Sequence, residues 1–448
     1  MDVSKEPQKQ KRLEINSFQI GLNLWIFALC FSYFGDDVRR IISGIALLFL
    51  FKSKTSFDFS AFFQKNLKYI TMLFIIFWCW ITFAPLFSAG GVHLGIRSLS
   101  DPLEVIAYIC FTLIFAKNEK FYSQLSKFML CGGFTFFTIL LFNRYQLDFA
   151  WNPNSWILSR TAGHAGAYVC FFVPWILGRV IYMEKSYSRL FICTFLFFEA
   201  VVLLVLTFYS TFWVAFFAQM FMTALVLFLK PQKQRLRNYA FFLGIALCLI
   251  IASGVILNHL TDGAIMLRMG GEFSQIMSVG SDFEKFTTHR SVIWKNTIDL
   301  IKQHPVFGWS WKNFFEVNVA NFEGQIPDSV LWASVTPHSS YLSAAWCTGI
   351  PGLLLYLSVL ALLFYKSFLC VRKGCREEFF FAVFILLVGY CVAGLAEDLF
   401  AWELRLMVPA WCIFAVALLR ADEGHAPLKV ENAGEIFDSL AEGSSSHV

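Results

Sequence analysis

The sequence predicts an all-α polytopic integral membrane protein with about twelve transmembrane helices, and three observations carry that expectation. First, 57% of the 448 residues are hydrophobic and only 15% are charged, whereas a soluble domain carries roughly 25% charged residues. Second, apolar runs approaching the ~20 residues needed to cross a bilayer recur along the whole chain. Third, most of the basic residues fall in alternate connections between those runs, as the positive-inside rule requires.

The polar stretch 1–16 is too long for the start of a cleaved signal peptide, so it reads as a cytoplasmic tail followed by a retained span. Apolar runs then follow at about 17–35, 37–51, 69–89, 102–116, 126–143, 164–183, 190–208, 211–229 and 239–257. The second is the weakest, because Ile41–Phe51 is short and Arg39 and Arg40 must sit at its interface. Lysines and arginines cluster around 5–12, 52–68, 117–127, 185–189, 230–237 and 366–376. With twelve spans all of these fall on the cytoplasmic side, together with both termini. Ten of the twelve cysteines lie inside apolar runs (Cys30 and Cys170 among them), where cysteine acts as a small hydrophobe, so no structural disulfide is expected.

The opposite side holds short connections near 90–101, 144–163, Ser210 and 397–403, and one large loop over 258–337. That loop carries six basic and eight acidic residues, a balance that argues against nucleic acid and anionic lipid as partners. Within it, SVIWKNTIDLIKQ at 291–303 places Val292, Trp294, Ile298 and Ile301 near helical spacing. We expect an amphipathic helix on the outer membrane boundary, ended by His304-Pro305 and followed by an aromatic turn. Three further runs, at about 338–365, 379–397 and 404–419, complete the twelve. The small, acidic, Ser-rich tail 421–448 has the composition of a disordered segment.

Chemistry is expected where the large loop re-enters the membrane, in TPHSSYLSAAWCTGIPG from Thr336. Neutral imidazole accepts a proton from a hydroxyl near neutral pH, which makes His338 the candidate base; the alternative is a capping or interfacial histidine. Pro337 is expected to set His338 in the first helical turn. Arg290, at the start of the loop helix, has the character of a phosphate ligand or of a solvated surface arginine. Arg160, among the small residues of SRTAGHAGAY, is a second phosphate candidate or a snorkelling interfacial charge. Glu397, Asp398, Glu403 and Arg405 form an acidic cluster with one arginine at the outer end of the last hairpin, where Arg405 is expected to pair with one of the acids. Arg97, Arg39 and Arg40 are weaker outer-face candidates, and His164 reads as interfacial. No metal-ligand spacing or nucleotide loop is present, so neither metal nor cofactor is expected. Energy for synthesis on the outer face must then arrive with the substrate, as in a lipid-linked diphosphate donor.

These segments resemble a known family. His338-Ser339, nine residues, then Gly349-Ile350-Pro351-Gly352 is similar to the signature of O-antigen ligases. RSVIWKNTIDLIKQHPVFGWSWKNF resembles the outer-loop segment before that signature in the O-antigen ligase/polymerase superfamily, and the RTAG segment at Arg160 also fits. The resemblance implies a glycosyltransferase of the GT-C type with one large periplasmic loop, in the bacterial inner membrane. It implies transfer of a polysaccharide from undecaprenyl diphosphate to lipid A–core without metal or nucleotide. His338 would activate the acceptor hydroxyl, Arg290 would bind the donor diphosphate with Arg160 as a further partner, and Ser339, Glu397, Asp398 and Arg405 would line the substrate site.

One position departs from the family pattern. Where many ligases carry an arginine in a Thr/Ser-Arg motif, this chain has LTFYSTFW, with Ser210 or Thr211 at that place. A lost diphosphate contact costs a few kcal/mol of binding or transition-state stabilisation. Either Arg160, Arg97 or Arg405 compensates, or the donor differs. The alternatives are a polysaccharide polymerase or protein O-oligosaccharyltransferase of the same superfamily and, from another class, a non-enzymatic transporter of lipid-linked glycan.

Overall fold

The computed structural model describes residues 6–53, 68–147, 161–182, 187–229, 232–278, 287, 290–311, 313–322, 336–374, 376–400 and 404–420. Arg160, Glu403 and the tail 421–448 lie outside the described residues. The described residues form helices, short 3-10 turns and connections. The helices are α1 (Glu6–Cys30), α2 (Asp36–Lys52), α3 (Lys68–Phe83), α4 (Gly91–Ser98), α5 (Ser100–Phe115), α6 (Lys120–Gln146), α7 (Ala162–Tyr182) and α8 (Tyr187–Thr207). They continue with α9 (Ser210–Leu229), α10 (Lys233–Leu260), α11 (Ala264–Met277), α12 (Arg290–Gln303), α13 (Phe314–Phe322), α14 (Ser340–Lys373), α15 (Glu377–Ala393) and α16 (Leu404–Leu419).

Each of the twelve apolar segments is helical. Among the described residues, eight stretches are long and apolar enough to cross a membrane: 68–87, 91–115, 120–146, 162–182, 190–207, 210–229, 233–260 and 340–373. The chain is therefore an all-α polytopic membrane protein, whose described residues hold eight such stretches, where hydropathy alone predicts about twelve. The helices α2, α15 and α16 hold only 17, 17 and 16 residues, and α1 opens on a charged turn.

Two helices form the centre. The sequences of α7 and α15 are apolar on every side, as buried helices are, and nearly every residue of both is shielded. Small residues let neighbouring helices approach them closely. A side chain at Gly389 would overlap Gln219, whose amide donates to the Cys170 carbonyl at 2.8 Å and ties α9 to α7. Ion pairs collect at the two ends of the bundle. At one end Arg179 meets Glu378 at 3.0 Å and Arg235 meets Glu377. At the other, Arg39 bridges Asp36 (3.0 Å) and Glu104 (2.6 Å), and Arg40 also binds Glu104.

The large loop packs onto the start of α14. Ile293 and Leu300 of α12, Phe314 of α13, and Trp346 and Cys347 of α14 share one apolar cluster. This corrects the expected register of α12. Its buried face is Ile293, Asn296, Thr297, Leu300 and Ile301, while Ile298 is 42% exposed. The helix turns that face toward α14. Within the same loop, α11 is a helix that the sequence reading did not single out.

The glycine signature on α14 is a backbone device. Gly349 adopts φ +74°, a left-handed geometry that favours glycine. The 350-to-346 bond of an uninterrupted helix is replaced by two bonds to the loop turn after α12. The Ile350 N–H donates to Pro305 O at 2.7 Å, and the Trp309 N–H donates to Trp346 O at 2.7 Å. Trp309 and Trp346 stack at 5.6 Å above this junction. A Cβ at Gly349 would come within 2.0 Å of Val306 O. Gly349→Ala is therefore expected to lower stability by about 3 kcal/mol or more. Thermal unfolding of the purified protein in detergent checks it, and an unchanged midpoint would contradict the interpretation.

Candidate active site

The site grows from the N-terminus of α14, whose first N–H groups have no partner within the helix. The segment Gly394–Phe400, which follows α15, supplies the partners. The Ser340 N–H donates to Gly394 O (2.8 Å) and Glu397 O (3.0 Å). Its hydroxyl donates to Glu397 O at 3.0 Å and accepts from the Leu399 N–H at 2.8 Å. Ser343 donates to the Asp398 carboxylate at 2.5 Å, and Asp398 accepts from the Phe400 N–H at 3.2 Å. Ser339 donates its hydroxyl to Gly394 O at 3.3 Å and is buried. Both acids are thus held at a helix start, where the backbone dipole favours negative charge.

Glu397 turns its carboxylate to Arg290, which opens α12, at 2.7 Å. The same guanidinium donates to Tyr209 OH (2.8 Å), Thr211 Oγ1 (3.3 Å) and Ala396 O. Burial alone would weaken its hold on the proton, but Glu397 and Tyr209 reverse this and raise its affinity above the ordinary value. Tyr209 is buried too, which lifts its pKa and keeps the phenol protonated. Nη1 and Nη2 each serve two acceptors, so four of the five N–H groups of Arg290 are engaged. Nε–H is left with no acceptor among the described residues. The solvated-surface reading of Arg290 does not hold, because its side chain is 13% exposed.

His338 is tied through its backbone to the helix that Arg290 opens. Trp294, four residues after Arg290 on α12, donates its indole N–H to His338 O at 3.3 Å. The histidine is half-buried and precedes the helix. This corrects the expected placement in the first turn: α14 starts at Ser340 with Ser339 as its cap. His338 instead takes φ +49°, a left-handed geometry that a non-glycine residue holds at a cost of roughly 1–3 kcal/mol. Its N–H donates to Thr336 Oγ1 at 3.3 Å. Strain of this kind is characteristic of functional positions.

The structure therefore brings together His338, Ser339, Arg290, Glu397 and Asp398. Arg405 sits beside a neighbouring cluster, 3.9 Å from Asp36, and its carbonyl accepts from Ser32 at 2.5 Å. Glu397, one of the acids the sequence reading considered for Arg405, pairs with Arg290. Arg39 and Arg40 are compensated by Asp36, Asp37 and Glu104. Sequence reasoning missed Tyr209 and Thr211 as site residues, although they flank the Ser210 position it singled out. It also missed the burial of His164, which lines a small pocket with Gly163, Tyr168, Phe212, Glu397 and Asp398. Contacts with partners so distant in sequence leave no local signal.

Removing one member of a buried pair leaves an uncompensated charge. Glu397→Ala is expected to destabilise the protein by about 3–5 kcal/mol, and replacing both partners (Arg290→Met with Glu397→Leu) by less. Chemical denaturation of the two variants and the wild type in one detergent measures this; equal losses would show that the pair does not hold the site.

Comparison with family models gives a match over residues 194–357 to the family described as O-antigen ligase. The matched segment runs from α8 through the first half of α14, and so includes Tyr209, Thr211, Arg290 and His338. It supports membership of the O-antigen ligase superfamily. Comparison with curated proteins returns no match.

Proposed function

We propose that this member of the O-antigen ligase superfamily transfers a polysaccharide from undecaprenyl diphosphate to a sugar hydroxyl of lipid A–core. The reaction runs in the outer leaflet of a bacterial inner membrane, on the periplasmic side. With α1, α2, α15 and α16 counted beside the eight long apolar stretches, the chain crosses twelve times in a GT-C-type arrangement, with 258–337 as its large periplasmic loop. The observation that carries the reading is the Trp294 link, which ties the backbone of a strained histidine to the helix that Arg290 opens.

In the transfer, His338 takes the proton of the acceptor hydroxyl as its oxygen attacks the anomeric carbon from the face opposite the diphosphate. The bond from that carbon to the diphosphate oxygen breaks, undecaprenyl diphosphate leaves with the electron pair, and configuration inverts. The proton resides on the imidazolium until product release. Arg290, held by Glu397, directs Nε–H at the charge that develops on the leaving diphosphate, where a fixed donor counts most. The donor already carries its leaving group, so the step needs no nucleotide. Glu397 and Asp398 act as positioning residues: one holds Arg290, the other fixes the start of α14 beside His338.

A positioned general base contributes about 10²–10⁴-fold. In a strain that depends on this gene, His338→Ala at equal protein level is expected to remove the long-chain lipopolysaccharide ladder on gels. Transfer by the purified variant should fall by about that factor. An unchanged ladder would contradict the role of His338. A deletion strain that leaves core bearing one repeat unit, where bare core with accumulated lipid-linked polymer is expected, would indicate a polymerase.

A further inference from the structure

Arg290 alone makes a poor diphosphate site. Four of its N–H groups are held by protein acceptors and Glu397 balances its charge. A diphosphate is gripped by a fork of donors or by more than one cation. On the ligase reading, we infer that Arg268 supplies the second cation, so that the diphosphate of a polyprenyl-linked donor binds across the Phe208–Thr211 turn between Arg268 and Arg290.

The turn between α8 and α9 presents two consecutive aromatic rings to two arginines from the large loop. The Arg268 guanidinium lies 5.2 Å from the centre of the Phe208 ring, and that of Arg290 lies 5.5 Å from the Tyr209 ring. Both contacts have cation–π geometry. Phe208 adopts φ +47°, a sharp bend in the segment where the resemblance places an arginine and this chain has Ser210 and Thr211. A guanidinium reaching the turn from α11 restores a cation beside that position without one in the local sequence. Arg160, the earlier candidate, lies outside the described residues.

The surroundings of Arg268 select a lipid-linked ligand. Its neighbours Met266 and Leu267 are 59% and 84% exposed, as is Met277 at 80%, while Arg268 itself is half-buried. The adjoining α10 also turns Leu247, Ile251 and Val255 outward. The helix therefore offers an apolar outer face for a hydrocarbon chain and a cation on the side of Phe208. A polyprenyl diphosphate approaching sideways from the lipid meets both.

The test uses the full-length protein in detergent, with undecaprenyl diphosphate-linked glycan as donor and lipid A–core as acceptor. Arg268→Met, which keeps the aliphatic stem, is expected to raise the donor KM about tenfold and to leave the acceptor KM within about twofold. Glycan-free undecaprenyl diphosphate should inhibit wild type more strongly than undecaprenyl monophosphate, and Arg268→Met should lose that preference. Arg268→Lys should restore most of both. Unchanged donor KM and inhibitor preference would overturn the assignment, as would a change confined to the acceptor KM. Direct binding of undecaprenyl diphosphate, followed by native mass spectrometry, separates this site from the reaction. Arg268-dependent binding without transfer by wild type would refute the ligase reading and keep the site; binding indifferent to Arg268 would refute the site.

Discussion

The end of this molecule that holds His338 depends on one buried ion pair. A guanidinium withdrawn from water needs a carboxylate and a full set of acceptors, or its burial is strongly unfavourable. Arg290 finds them in three places: the Phe208–Thr211 turn, the Ala396 carbonyl and the Glu397 side chain. Those partners lie 79 to 107 residues away in sequence. By satisfying one side chain, the fold draws the loop helix α12, the α8–α9 turn and the segment after α15 to a common point. Because that last segment also caps α14, the position of His338 follows from the same pair.

A second constraint holds the other end of α12. The break at Gly349 opens one hydrogen bond of α14, and the Pro305–Trp309 turn occupies both halves of it. The histidine and the glycines of the signature thus do different work eleven residues apart. His338 carries the candidate chemistry, and Gly349 fastens the loop that carries its partner cation.

Much of this was legible in the sequence. Hydropathy marks every apolar helix because burial in lipid or core imposes the same long apolar run on each. His304-Pro305 marks the end of α12, since proline disfavours the helical region for the residue before it. What could not be read were choices made by tertiary packing. The sequence of α12 offers apolar residues on two faces, and contact with α14 selects Ile293 and Leu300 over Trp294 and Ile298. The Gly270-Gly271 pair disguised α11, and with it Arg268. His338 looked like a first-turn residue because Pro337 precedes it, yet the bonds of Ser340 to Gly394 and Glu397 start the helix two residues later. The apparent gap at Ser210 was judged from local sequence, whereas the cations there come from the large loop.

In the proposed reaction, Arg290, the Phe208–Thr211 turn and Arg268 form one diphosphate site beside His338. A structure of the protein in lipid nanodiscs with undecaprenyl diphosphate tests this most directly. The account predicts diphosphate density within hydrogen-bonding reach of Arg290 Nε, over the Phe208–Thr211 turn, with the prenyl chain along α10 and α11. Density at another position, such as the Asp36–Arg39–Glu104 cluster, or a bound diphosphate with His338 turned away from it, would contradict the account.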